Sequence, residues 1–149
     1  MNELNKLNVK IFADGANYEE MIEHNSNPII KGLTTNPSLM KKAGISNYED
    51  FCKKILKFIK KPLSLEVFAD DIEEMEKQAE KISKWGENVY VKIPITNTKN
   101  ITTDDLMYKL SKKGIKLNVT AIMTENQIKI AYESLNKDTP CYISVFAGR

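Results

Sequence analysis

Short apolar runs alternate with longer amphipathic ones along this chain, and in five of the short runs the polar residues fall on one parity. The runs are VKIFAD (9–14), IIKGLT (29–34), LSLEVF (63–68), NVYVKIPI (88–95), IKLNVT (115–120) and CYISVF (141–146). Strand side chains alternate with period two, so each parity is one face of a strand. In the fourth run Val89, Val91, Ile93 and Ile95 take one face, while Tyr90, Lys92, Pro94 and Thr96 take the other. The third sets Leu63, Leu65 and Val67 against Ser64, Glu66 and Phe68; the fifth sets Ile115, Leu117 and Val119 against Lys116, Asn118 and Thr120. Cys141, Ile143 and Val145 oppose Tyr142, Ser144 and Phe146 in the sixth, and Val9, Ile11 and Ala13 oppose Lys10, Phe12 and Asp14 in the first. Parallel strands covered on both faces usually read as near-continuous apolar runs, so the recurring polar parity asks for another arrangement.

Between the strands lie the helical patterns ANYEEMIEH, NYEDFCKKILKFIK, IEEMEKQAEKISKW, TTDDLMYKLSKK and ENQIKIAYESL. Phe51, Ile55, Phe58 and Ile59 recur at helical spacing in the second, as do Ile72, Met75, Ala79 and Ile82 in the third. Asn47 and Thr103 read as helix N-caps, the Asp70–Asp71 pair as an N-cap with favourable dipole placement, and Gly44, Gly86 and Gly114 as punctuation. The segment LTTNPS after the second strand reads as a turn.

Such regular βα alternation predicts an α/β fold with a parallel sheet. An open, doubly wound sheet would bury Lys92 and Glu66 under a helix layer, at several kcal/mol for each unpaired ion. A barrel turns the aliphatic face outward to its helices and the polar face inward. It also puts Asp14, Thr120, Ser144 and Phe146 at the carboxyl ends of strands, the rim where barrel enzymes hold their chemistry. The expectation is a (β/α)8 TIM-type barrel in one domain over residues 1–149. A full barrel needs about 200 residues or more. Six strands and five helices are visible in 149 residues, so the C-terminal βα units are expected to be missing, leaving unpaired edges on the first and sixth strands.

Charge is nearly balanced, 22 Lys and Arg against 20 Asp and Glu, net +2. That gives no reason to expect a nucleic acid or an anionic membrane as partner. Cys52 and Cys141 lie outside metal-ligand spacing, each in an apolar run, and read as small buried hydrophobes. No disulfide framework is implied, and neither a signal peptide nor an apolar run of membrane-spanning length is present in the sequence. The expectation is a soluble, cytoplasmic protein. His24 reads as a surface residue and Trp85 as a packing anchor.

Lys92 stands in the middle of a β-branched strand and precedes Ile-Pro, an unusual place for a lysine. Desolvation in an apolar barrel disfavours the ammonium form and frees a nucleophilic lone pair. The alternative is a buried ion pair with Glu66 or Asp14. These two carboxylates project into the same barrel and suit the proton transfers of imine chemistry, or else neutralise Lys92. Asn36 belongs to the presumed rim, though a turn asparagine is usually structural. Asn118 and Thr120 point inward and suit substrate hydroxyls or a water.

KGLTTNPSLM (31–40) resembles the transaldolase signature after the second strand, and VYVKIPIT (89–96) resembles the segment around that family's Schiff-base lysine. IFADGAN, SLEVF, LNVTAIMT and YISVFAGR resemble further family segments in the same order, over essentially the whole chain. The resemblance implies that Lys92 forms an imine with a ketose phosphate and that Asp14 takes the proton of the substrate's C4 hydroxyl. It implies that Glu66 and Thr120 position and activate water. Asn36, Asn118 and Ser144 would hold the dihydroxyacetone hydroxyls, with Thr34 and Phe146 also at the substrate. Arg149 would grip the phosphate through its planar fork. The implied reaction moves dihydroxyacetone from fructose 6-phosphate or sedoheptulose 7-phosphate to an aldose phosphate in the pentose phosphate pathway. Neither metal nor organic cofactor is implied; a homo-oligomer is expected.

Glu66 and Phe146 match transaldolases, whereas the related fructose-6-phosphate aldolases carry Gln and Tyr there, so an aldolase-type lyase is the alternative. The family's seventh-strand phosphate ligands have no counterpart in this sequence, which opens a third reading, an incomplete fragment that works only with another chain. A flavodoxin-like receiver with Asp14 and Asp70 as its acidic pocket is opposed by the inward polar parity, the sixth strand and the lack of a lysine ending the fifth strand.

Overall fold

The computed structural model of the protein describes residues 8–147. The chain divides between Leu65 and Glu66 into two compact units. The first holds β1 (Ile11–Asp14), α1 (Tyr18–Ser26), β2 (Ile30–Thr34), α2 (Pro37–Lys42) and α3 (Tyr48–Ile55), with most of β3 (Leu63–Glu66). The second begins at Glu66 and holds α4 (Ile72–Ser83), β4 (Val89–Pro94), α5 (Asp104–Lys112), β5 (Leu117–Ile122), α6 (Glu125–Ser134) and β6 (Tyr142–Val145).

The sheet order is β1-β2-β3-β4-β5-β6. β1 pairs with β2 and β2 with β3 in the first unit, β4 with β5 and β5 with β6 in the second, every pair parallel. A sequential parallel order without a switch point is that of a (β/α) barrel; a doubly wound sheet reverses its strand order partway. The fold is thus α/β, of the TIM type, with six strands of a (β/α) barrel among the described residues.

Helices begin where short polar side chains satisfy free amides. Asn17, Asn47 and Asp71 accept from Glu20, Asp50 and Glu73 N–H at 3.0, 3.1 and 3.0 Å. Thr124 and Gln127 form a reciprocal capping box at α6. Thr103 occupies the N-cap position of α5 without capping it, correcting its reading. Its hydroxyl donates to the Pro94 carbonyl at 2.7 Å, tying the start of α5 to the end of β4. The helix α2 was missed because Asn-Pro reads as a turn; here Asn36 is the N-cap and Pro37 takes the first turn, where its missing N–H costs nothing. Gly44 and Gly114 adopt φ of +71 and +80°, as C-terminal caps of helices require, whereas no such φ marks Gly86.

The predicted aliphatic face is buried in the central strands. Val89, Val91, Ile93, Ile95, Leu117 and Val119 are almost wholly inaccessible, as are Met75, Ala79, Ile82, Met107, Leu110 and Ala131 on the helices. α4 packs on β4, and α5 and α6 pack on β5. Leu33, Ile55, Ile59 and Leu63 form the first unit's core. The parity fails at the two ends for different reasons: Val9, 65 % exposed, precedes β1, which begins only at Ile11, while Val145, 47 % exposed, lies in β6, the last strand of the order. β5 also continues past Thr120. Ala121, at φ +60°, sits in a bulge that returns Ile122 to the buried face.

Candidate active site

Lys92 lies in β4 with its side chain 11 % exposed, and its Nζ is 3.2 Å from Glu66 Oε2. Glu66 ends β3, and the Val67 N–H donates to the Lys92 carbonyl at 3.2 Å, so backbone and side chains meet at one rung. The ion pair left open in the sequence is therefore present, with Glu66 as a partner. At that distance a proton can pass between amine and carboxylate, and the pair satisfies two charges.

The next strand extends this polar row. Asn118 is the register partner of Lys92, and its Oδ1 accepts the Ser144 hydroxyl at 2.6 Å. Thr120, opposite Pro94 in the register, is buried two positions further along the same face. Phe146 follows β6, is 43 % exposed, and donates its N–H to the Ile122 carbonyl at 2.9 Å. Thus the second unit brings together Lys92 with Glu66, and Asn118 with Ser144.

In the other direction along this face, Tyr90 and Tyr142 stack with ring centroids 4.4 Å apart. Burial first, then the hydrogen bond with Tyr90, pushes the Tyr142 phenol up to about 12. Lys116 lies over the Tyr90 ring at 5.7 Å and donates to the Glu87 carbonyl at 2.7 Å. The aromatic pair lines this end of the face. Alternation placed both tyrosines on the inward parity, but nothing in the sequence paired their rings.

The first unit holds a cluster of its own. Asp14, exposed at the end of β1, accepts the Thr34 hydroxyl at 2.6 Å, and Gly15 N–H donates to the Thr34 carbonyl at 3.1 Å. Asn36 Oδ1 accepts from Leu39 N–H at 2.9 Å, so its oxygen serves the helix and its amide nitrogen is the end suited to an external acceptor. Arg149 lies outside the described residues.

Several secondary readings change. Asp71 caps α4, but Asp70 accepts from the N–H and hydroxyl of Thr98, which hold its carboxyl below the usual range. Cys52 is buried, and its thiol is pushed up to about 12 by desolvation. Cys141 is only half-buried, and its sulfur accepts the Leu117 N–H at 3.4 Å, so it is not the buried hydrophobe expected. His24 is half-buried in the last turn of α1, and its carbonyl accepts from Lys61. Among the described residues no three His, Cys, Asp or Glu side chains are grouped to hold a metal ion, and no helix is long and apolar enough to cross a membrane.

Residues 11–149 match the family model described as Transaldolase/Fructose-6-phosphate aldolase. A probable transaldolase of Methanococcus vannielii is 43 % identical over 141 residues, which cover 95 % of this chain and 61 % of the relative. Probable transaldolases of Thermoanaerobacter sp. and Nitrosopumilus maritimus are each 38 % identical, over 95 % of this chain and 61 and 60 % of their own lengths. The chain thus spans about three-fifths of the curated relatives it matches. With its sequential βα order and a lysine within β4 paired to the glutamate that ends β3, the chain belongs to the transaldolase/fructose-6-phosphate aldolase family.

Proposed function

We propose that this protein transfers a dihydroxyacetone unit from a ketose phosphate to an aldose phosphate through an imine on Lys92, as a cytoplasmic transaldolase of the pentose phosphate pathway. The observation that carries the reading is the largely buried Lys92 amine, 3.2 Å from Glu66 and in register with Asn118. A lysine used only for solubility would gain nothing from that position.

In this reading Glu66 takes a proton from Nζ, and the amine attacks the ketose C2 carbonyl to give a carbinolamine. Glu66, with Thr120, returns the proton as water leaves and the protonated imine forms. Asp14 removes the proton of the C4 hydroxyl, the C3–C4 bond breaks, and its electron pair flows towards the iminium nitrogen. The aldose phosphate departs, leaving an enamine. Asn118, Ser144 and the Asn36 amide hold the hydroxyls of the three-carbon unit, with Thr34 orienting Asp14. The enamine carbon then attacks the acceptor aldehyde, and water releases the longer ketose and the free amine. Phosphate recognition is assigned to Arg149, and the assembly to a homo-oligomer.

Incubation with fructose 6-phosphate and borohydride should leave a reduced three-carbon adduct on Lys92, seen by peptide mass, and Lys92→Met should abolish it. Asp14→Ala should still trap the sugar while slowing carbon–carbon cleavage by at least about a hundredfold. Equal trapping by parent and Lys92→Met would end this reading.

Two other readings rest on specific observations. The family description covers an aldolase as well as a transferase, and the aldolase would release the triose without an acceptor. The three-fifths coverage, with Val145 and Phe146 exposed at β6, suits a piece that becomes active only with another chain.

A further inference from the structure

The strands that carry Glu66 and Lys92 run into loops, and those loops are fastened to each other by one side chain. Asp70, in the loop after β3, accepts the Thr98 N–H at 2.8 Å on Oδ1 and the Thr98 hydroxyl at 2.7 Å on Oδ2. Thr98 belongs to the loop after β4. A carboxylate with both oxygens engaged by one residue makes two charge-assisted bonds, each stronger than a neutral one.

Both loops are stiff around this contact. The Phe68 and Ala69 N–H groups donate to Gln78 Oε1 of α4 at 2.7 and 3.0 Å. On the other side Asn97 is buried, and its Oδ1 accepts from Lys99 and Ile101 N–H at 3.0 and 2.9 Å. Thr96 bridges Thr102 in antiparallel fashion, and Asn100 makes the turn at φ +60°. A loop so fully bonded within itself transmits a pull on Thr98 to the end of β4 instead of absorbing it.

The hydrogen bond from Val67 N–H to the Lys92 carbonyl is at the rung where the ion pair sits, next to these loops. Strand ends fray from their last rungs, and a side-chain separation set there is exposed to that fraying. We propose that Asp70 and Thr98 form a latch that holds the ends of β3 and β4 together and so sets the separation of Glu66 from Lys92. Asp70 is then a positioning residue for proton exchange between them, and this role rests on the imine reading above.

The test uses the full chain with Asp70→Ala, which removes both bonds, and Thr98→Val, which keeps the amide bond. Borohydride trapping over a range of fructose 6-phosphate concentrations gives a limiting rate and a half-saturating concentration. The limiting rate should fall about tenfold in Asp70→Ala, because displacement by a fraction of an ångström is costly at a reacting group. The half-saturating concentration should stay within about twofold of the parent, since no substrate contact is lost. Thr98→Val should lie between, and the double variant should be no slower than Asp70→Ala. Asp70→Asn, which restores an acceptor for Thr98, should recover most of the rate.

A second readout needs no substrate: in a crystal structure of Asp70→Ala the separation of Glu66 Oε2 from Lys92 Nζ, 3.2 Å in the parent, should change by about half an ångström or more. A purely structural loop contact predicts less folded protein with an unchanged limiting rate and an unchanged separation, and that result overturns the latch. If the parent traps no sugar, the imine reading fails by itself. The separation then decides the latch alone, a changed distance supporting it and an unchanged one refuting it. Should Asp70→Ala not fold, Thr98→Val is judged by the same two readouts.

Discussion

Phe12 and Gly32 face each other across β1 and β2, and a Cβ added at Gly32 would run into the Phe12 ring. No side chain fits there unless the ring moves. Gly32→Ala should therefore cost about 1–3 kcal/mol in denaturant unfolding, the usual penalty of overpacking. Phe12→Ala combined with Gly32→Ala should lose clearly less than the sum of the single changes; additive losses would mean that the clash is relieved some other way. Tyr142 allows a pH prediction. Its phenol, raised from 10.0 to about 12 in the fold, keeps its proton where the unfolded chain has lost it. That contribution is complete below pH 10 and disappears as pH rises towards 12, so stability should fall through this window. Cys52 adds a fall of the same sign from pH 9 upward. Tyr142→Phe should lessen the drop in melting temperature between pH 10 and 12 relative to the parent, and an unchanged drop would refute the assignment. The inward-facing, paired setting of Lys92 was legible because a lysine flanked by Val91 and Ile93 needs a reason. The bonding of Asp70 to Thr98 was not, because two adjacent aspartates before a helix both look like caps, and only the place of Thr98 separates them.

The strands were legible as elements to within two or three residues, because period-two alternation is a local property and survives packing. The misses were decided by single hydrogen bonds. Asn36-Pro37 was read as a turn because both residues favour one, yet the same pair starts a helix when a few helix-forming residues follow. Thr103 reads as a cap and stands at the N-cap position, but its backbone, at φ −102° and ψ 21°, is outside the extended range of the capping residues, and its hydroxyl donates to the Pro94 carbonyl at 2.7 Å. That difference is measurable. Thr103→Val keeps the shape and leaves the Pro94 carbonyl without its donor in a buried setting, which should cost about 1–3 kcal/mol. Asn47→Ala, at the exposed cap of α3, should cost about 1 kcal/mol. Urea unfolding monitored by circular dichroism checks the order; if Asn47→Ala is the more damaging, the tether between β4 and α5 is not what stabilises this junction.

At the scale of the whole chain, polar residues on one parity favoured a barrel over an open sheet, and the sequential parallel order agrees. The exposure of β6 and the bulge at Ala121 escaped, since burial at a sheet's end depends on what flanks it and a bulge depends on register with the neighbour. In the reaction proposed above, transfer and aldol release differ in the fate of the three-carbon enamine. An aldolase protonates it and releases dihydroxyacetone; a transferase protects it from protons until an aldehyde arrives. The stacked Tyr90 and Tyr142 rings add aromatic surface to the Lys92 face, and Glu66, the nearby acid, is already engaged with the amine. Both features favour a long-lived enamine. With fructose 6-phosphate alone, glyceraldehyde 3-phosphate should therefore appear as at most one equivalent per Lys92 and then stop. Erythrose 4-phosphate should restore continuous release, with sedoheptulose 7-phosphate formed in equal amount. Steady triose release without an acceptor, accompanied by free dihydroxyacetone, would instead assign the protein to the aldolase side of its family.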